Sequence, residues 1–208
     1  AAASTLKNGD KINLGASQVL TAGHTTFTSV ANATFRTTVN ASDHRQALHW
    51  KTTSNAQVYA SNTTYTNPDA DSVTISFWIQ YDQIDAGTEH LVVFTDSSDD
   101  VAVQLKTTND DLTIRVQESG GAIEFIYNNI LTASEWKHYT IVINKTLSNN
   151  VVFYVDGEVV SGTKSGSQSG TLRDIDKIYI GDGTANNTAF EAEASFQDFV
   201  IWNTGLTA

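Results

Sequence analysis

Apolar and polar positions alternate with period two along most of this chain. In Ser72–Tyr81, SVTISFWIQY, the residues Val73, Ile75, Phe77 and Ile79 fall on one face, and Thr74, Ser76, Trp78 and Gln80 on the other. In residues 135–160, EWKHYTIVINKTLSNNVVFYVDGEVV, Tyr139, Ile141 and Ile143 alternate with His138, Thr140, Val142 and Asn144. Val151, Phe153 and Val155 then alternate with Val152 and Tyr154. Such alternation of β-branched and aromatic residues predicts strands. Asp156-Gly157 predicts a tight two-residue turn, because Gly takes positive φ freely and Asp nearly so. Near the end of the chain the same period puts Phe196, Val200 and Trp202 on one face with Asp198.

Extended over the whole chain, the pattern predicts strands at 47–51, 56–59, 73–81, 90–95, 101–107, 111–118, 122–127, 137–144, 151–155, 158–159, 177–181 and 192–202. Polar turns separate them, and no segment shows a convincing helical period. This is the pattern of an all-β fold, a two-sheet antiparallel β-sandwich. Residues 1–45 carry only isolated apolar positions and are read as an extended arm or as outer strands of the sandwich. Residues 46–208 form the dense, strand-rich domain. Residues 161–170, SGTKSGSQSG, are Gly/Ser-rich and are read as one surface loop.

Composition narrows the classes. The 208 residues are 40% hydrophobic and 10% aromatic, enough to build a full core, with one Pro and 13 Gly. Net charge is −11, and no basic stripe suited to nucleic acid or to anionic membrane surfaces is present. The absence of Cys removes disulfides and thiolate metal sites. No apolar run reaches the roughly 18 residues of a membrane-spanning helix. The N-terminal AAASTLKNGDKINLG lacks the apolar centre of a signal peptide. The chain has no Met, so either an initiator was removed or a longer precursor was cut.

Four segments together resemble the laminin-G-like, concanavalin A-like jelly rolls. Residues 72–81, SVTISFWIQY, are similar to an early family strand. Residues 135–145, EWKHYTIVINK, resemble the Trp-x-His strand near the domain midpoint. Residues 151–159, VVFYVDGEV, resemble the Tyr-x-Asp-Gly hairpin. Residues 178–182 and 196–206, IYIGD and FQDFVIWNTGL, resemble the closing pair. Their order and spacing match over about residues 46–208. The resemblance implies a jelly roll of two sheets with about six or seven strands each. It also makes Trp136, His138 and Asp156-Gly157 scaffold rather than chemistry.

Glycoside hydrolases share this fold, so carboxylate pairs matter. A retaining enzyme needs two carboxylates about 5–5.5 Å apart on one strand face. Glu191 and Glu193 share a face, but the Glu-x-Asp-x-x-Glu arrangement of the retaining relatives is missing. The five His residues form no HxH or HxxxH pair, and no nucleophile elbow or phosphate loop is present. The sequence therefore predicts no catalytic residues and no enzyme activity.

The loop at 95–100, TDSSDD, concentrates three carboxylates, and Ca²⁺ takes about six to eight oxygen ligands. By resemblance, Asp100 occupies the position of a laminin-G calcium ligand. The expected calcium set is Asp96, Asp99 and Asp100, with Asp182 from another loop at the same rim; an acidic turn without metal is the alternative. Trp78, Trp136 and Trp202 are read as core or sheet-surface packing residues rather than sugar platforms. Trp50, Asn186 and Asn187 are the expected ligand contacts. Asn-x-Ser/Thr sequons at Asn32, Asn40, Asn62, Asn144 and Asn186 matter only in a eukaryotic secretory route.

The expected function is a non-catalytic module that recognises a glycan or a cell or protein surface through its rim loops or a concave sheet. The alternative is a virion or surface-layer structural protein, as a homo-oligomer or attached to a particle. Either places the chain outside the cell or on a virion. A glycanase or polysaccharide lyase is the least favoured reading.

Overall fold

A computed structural model describes the strand segments 11–12, 20–22, 25–30, 34–37, 46–49 and 57–61 of the first 71 residues. It further describes residues 72–206 except 85, 119, 145–149, 168–171, 176, 181–193 and 203. Six short strands come first: β1 (Lys11–Ile12), β2 (Leu20–Ala22), β3 (Thr25–Val30), β4 (Thr34–Thr37), β5 (Gln46–His49) and β6 (Gln57–Ser61). Longer strands follow: β7 (Ser72–Tyr81), β8 (Thr88–Thr95), β9 (Val101–Thr108), β10 (Asp111–Glu118), β11 (Gly121–Tyr127) and β12 (Trp136–Asn144). The last are β13 (Val151–Val155), β14 (Glu158–Val160), β15 (Thr163–Gly166), β16 (Lys177–Ile180) and β17 (Ala194–Trp202).

These strands make two sheets. The first runs β14-β13-β12-β7-β17-β5-β4, with β1 beside β17; the second runs β15-β11-β10-β9-β8-β16-β6-β3-β2. Every strand pair is antiparallel. Among the described residues the sheets hold eight and nine strands, more than the six or seven implied by resemblance. The surplus comes from the strands before residue 46 and from β15. The latter corrects the reading of 161–170 as one loop: Thr163–Gly166 pairs with β11, from Ile126 opposite Thr163 to Ile123 opposite Gly166.

The core lies between the sheets. On β7, Val73, Ile75, Phe77, Ile79 and Tyr81 are buried on the inner face. Cross-strand register sets Phe77 opposite Tyr139, Ile75 opposite Ile141 and Val73 opposite Ile143. The second sheet contributes Leu105, Leu112, Ile114, Ile123 and Phe125. Aromatic rings tie the layers together. Tyr127 meets Phe153 edge-on at 4.8 Å between centroids, and Phe94 stacks on Phe199 at 6.5 Å. Phe77 touches Tyr139, Phe196 and Phe199 at 5.8, 5.5 and 5.5 Å. Such pairs add about 0.5–1.5 kcal/mol each beyond burial.

Strand β17 departs from strict alternation. Its register with β7 shifts between Gln197, opposite Trp78, and Val200, opposite Ser76. Asp198 and Phe199 thus face the single residue Phe77, and Asp198 takes φ of 47°. This is a β-bulge. It turns both Phe196 and Phe199 into the core, which a regular strand could not do at a spacing of three. The bulge also moves Val200 and Trp202 to the outer face, opposite Ser76 and Thr74. The expectation that Phe196 shares a face with Val200 and Trp202 is corrected accordingly. The Asp156-Gly157 turn has φ of 52° and 88°, the positive pair a two-residue type I′ hairpin requires.

Candidate functional site

Among the described residues, two places gather polar or aromatic chemistry outside the core. The first is the acidic loop between β8 and β9. Asp96 Oδ1 accepts the backbone N–H groups of Ser98 and Asp100 at 2.9 and 3.0 Å. The Asp96 N–H donates to the Asp100 carbonyl at 2.9 Å, and the Asp99 N–H to the Asp96 carbonyl at 3.1 Å. Asp99, with φ of 67°, closes the turn, since Asp tolerates that left-handed conformation.

The loop already holds a cation. Arg173 Nη1 donates to Asp96 Oδ2 at 3.1 Å and to Asp100 Oδ2 at 2.8 Å. The hydrogen bond to Asp100, ahead of the Asp96 carboxylate, raises the guanidinium above its usual range. Tyr179 donates its hydroxyl to Asp99 Oδ1 at 2.7 Å. Of the carboxylates expected to bind calcium, Asp96 and Asp100 each have their Oδ2 on the Arg173 guanidinium. Among the described residues, no group of three or more His, Cys, Asp or Glu side chains is arranged to hold a metal. Asp182, Trp50, Asn186 and Asn187 lie outside the described residues, as do Glu191 and Glu193.

The second place is the outer face of the first sheet. Alternate residues of β7 point away from the core and differ in exposure. Ser72, Thr74 and Ser76 are buried, whereas Trp78 is 38% exposed. At Thr74 the cover comes from the chain's own end, and at Ser76 from His138 and Thr140. Thr74 donates its hydroxyl to the Thr204 carbonyl at 2.8 Å and accepts the Leu206 N–H at 2.9 Å. A Cβ on Gly205 would stand 2.8 Å from the Asn144 amide nitrogen. Residues 204–206 therefore cover the Thr74 end of the face and leave the Trp78 end open.

Register places His138 and Gln197 on either side of Trp78, with Gln80 between Trp136 and Ser195 in the next row. The His138 ring lies 5.0 Å from the Trp78 ring, tilted by 47°. Its Nε2 is hydrogen-bonded to Ser76 Oγ at 2.8 Å. The His138 backbone is held separately: its N–H donates to Asp156 Oδ1 at 2.9 Å, and its carbonyl accepts the Asp156 N–H at 2.8 Å. The Trp-x-His strand and the Asp-Gly turn are thus scaffold for one another, and the ring of Trp78 rests on that scaffold. Trp78, read from the sequence as a core or sheet-surface packing residue, stands on the sheet surface against His138.

Residues 51–208 match the family model for the concanavalin A-like lectin/glucanases superfamily, of laminin-G type. The chain belongs to that superfamily. Solved structures agree on the architecture of this concanavalin A-like chain. The receptor binding domain of botulinum neurotoxin type G superposes with a TM-score of 0.68 at 11% identity, covering 98% of this chain and 49% of that one. The binding domain of Paraclostridial Mosquitocidal Protein 1 gives 0.64 at 15% identity, covering 87% and 44%. The receptor binding domain of a botulinum neurotoxin C/D mosaic serotype gives 0.64 at 13%, covering 89% and 45%. The concanavalin A-like chain thus spans just under half of those binding domains, and at such identities the likeness is one of fold. No curated protein matches it by sequence.

Proposed function

We propose that this chain is a non-catalytic recognition module that binds a glycan or a cell surface. The observation that carries the reading is Trp78, a large aromatic kept at the surface of a well-packed sheet and held by the neighbouring His138. Among the described residues the other exposed large apolar side chains are Val159 and Leu206, both aliphatic. Trp at a surface is the side chain that most often anchors a partner, because it combines apolar area with a polar edge. The fold supports the reading at a coarser level, since the similar solved structures are binding domains of toxins. The superfamily also contains glucanases, so the fold alone does not separate binding from hydrolysis. The chain's sequence offers no carboxylate pair in the retaining pattern. A ligand of this kind is met outside the cell or on a virion surface, which is where the reading places the protein.

An array of immobilised glycans tests it. The purified chain is expected to be retained on a subset of them. Retention on none, together with no binding to whole cells, would overturn the reading.

A further inference from the structure

We propose that the side of the sandwich formed by β14 and β15 is a self-association edge, on which β14 pairs antiparallel with β14 of a second copy of this chain about a two-fold axis at Val159. The proposal goes beyond the recognition reading, and either can fail without the other.

Among the described residues β14 ends the first sheet and β15 ends the second, and the chain runs from one to the other through Ser161 and Gly162. Lys164 of β15 donates to Asn150 Oδ1, beside the start of β13, at 3.0 Å. The two sheet ends therefore lie on one side of the sandwich. Neither strand is covered: Glu158 and Val159 of β14 are exposed, as are all four residues of β15. A strand at the end of a sheet presents a row of backbone groups on which a further strand can pair, and an outward Lys is a common device that blunts it. Here Lys164 is turned back instead, with its Nζ 5.8 Å over the Phe125 ring.

Hydrogen-bond alternation singles out Val159. In the hairpin closed by Asp156-Gly157, Val155 stands opposite Glu158, Tyr154 opposite Val159 and Phe153 opposite Val160. The Asp156 N–H points the other way, to the His138 carbonyl of β12 at 2.8 Å. Backbone groups alternate in direction along an antiparallel strand, so Val155 and Phe153 bond to β14 and Tyr154 does not. The N–H and C=O of Val159 therefore point out of the sheet edge, and its side chain is 62% exposed. Set opposite itself across a two-fold axis, Val159 donates to and accepts from its own copy, and the two side chains meet. Glu158 then faces Val160 of the second copy rather than another carboxylate. Charge favours the same occupant. Residues 158–166 carry one Glu and one Lys in a chain of net charge −11, so this edge is neutral where the chain as a whole repels its copy. Val159, Tyr154, Thr140 and Ser76 also share a row on the outer face that holds Trp78. An axis normal to the sheet keeps both Trp78 side chains on the same side, so the pair presents two anchors to one surface.

Sedimentation velocity of the intact chain, from micromolar to millimolar concentration, tests the proposal. The paired strand is short, so a dimer that dissociates on dilution is expected. Val159→Pro removes the outward N–H and leaves the hairpin's own bonds in place, since Pro is tolerated on the free side of an edge strand; it should weaken dimerisation by about tenfold or more. Val159→Lys sets like charges opposite one another and should weaken it by about as much. Trp78→Ala, on the same face but away from the edge, should dimerise as the parent does. Melting curves establish that the variants fold; if Val159→Pro does not, Val159→Lys decides. A further measurement needs no variant: hydrogen exchange at the Val159 amide should slow as the parent chain is concentrated. A chain that sediments as a monomer throughout overturns the proposal. So does a dimer that survives Val159→Lys, that is lost on Trp78→Ala, or whose Val159 amide exchanges as fast as in the monomer. Retention on the glycan array by a monomeric chain would leave the recognition reading standing while this proposal fails.

Discussion

Arg173 donates to the Asp100 carboxylate at 2.8 Å, bridging two residues 73 apart in sequence. The same nitrogen reaches Asp96, so one guanidinium offsets part of the charge of the acidic turn from within. A chain of net charge −11 benefits from such an internal counter-ion wherever carboxylates crowd. The pair is partly open to solvent, with Asp100 64% exposed, so its stabilisation is modest. Arg173→Gln is expected to lower stability by about 0.5–1 kcal/mol. Millimolar calcium should leave the melting temperature of the parent chain unchanged, but raise that of Arg173→Gln, in which the carboxylates have lost their cation. Differential scanning calorimetry with and without calcium checks both halves. A calcium-induced rise of several degrees in the parent chain would show that the ion displaces Arg173.

Gly166 tests the edge strand β15. It has φ of 85°, and a Cβ there would stand 2.4 Å from the Ala122 carbonyl oxygen of β11. Backbone cannot yield as a side chain can. Gly166→Ala should therefore cost more than the roughly 1–3 kcal/mol of an unfavourable φ alone. Gly157, with φ of 88° and no atom within 4 Å of its Cβ position, should show only the conformational part. Urea unfolding of the two alanine variants checks the order. A smaller loss at Gly166 than at Gly157 would contradict the pairing of β15 with β11.

His90 supplies a pH dependence. Burial, and then the nearby Lys106 charge, lower its pKa from the ordinary 6.5 to about 4. Its Nε2 lies 3.3 Å from the Gln104 amide nitrogen on the adjacent strand. Between pH 6.5 and 4 the unfolded chain takes up a proton there that the folded chain does not. Stability associated with neutral His90 is thus present above pH 6.5 and is lost as pH falls toward 4. The full shift would correspond to roughly 3 kcal/mol, and partial exposure of the ring reduces that to on the order of 1–2 kcal/mol. His90→Asn should lose less stability than the parent between pH 7 and pH 4.5, measured by urea unfolding. Equal losses in the two proteins would contradict the assignment.

The features legible in the sequence were those with a local cause. Alternation on β7 and β12 follows from burial of one face, and the Asp156-Gly157 turn follows from the φ its residues tolerate. The rest depended on distant partners. Strand β15 is exposed at all four positions and pairs through its backbone, so it has no apolar pattern to read. The bulge at Asp198 adds one residue without a compositional mark, yet it decides that Phe199 rather than Val200 enters the core. The carboxylates of 95–100 were visible as a cluster, but the Arg173 that answers them lies on a distant segment. The cover over Thr74 likewise depends on residues 204–206, a long-range contact with no local signal.

The most direct test of the central claim is to incubate the chain with a glycan it retains and to recover that glycan for mass analysis. Saturable binding with the saccharide returned at its original length is the result expected of a non-catalytic recognition module. Shortened or unsaturated products accumulating with time, and with protein concentration, would show instead that the chain cleaves what it binds.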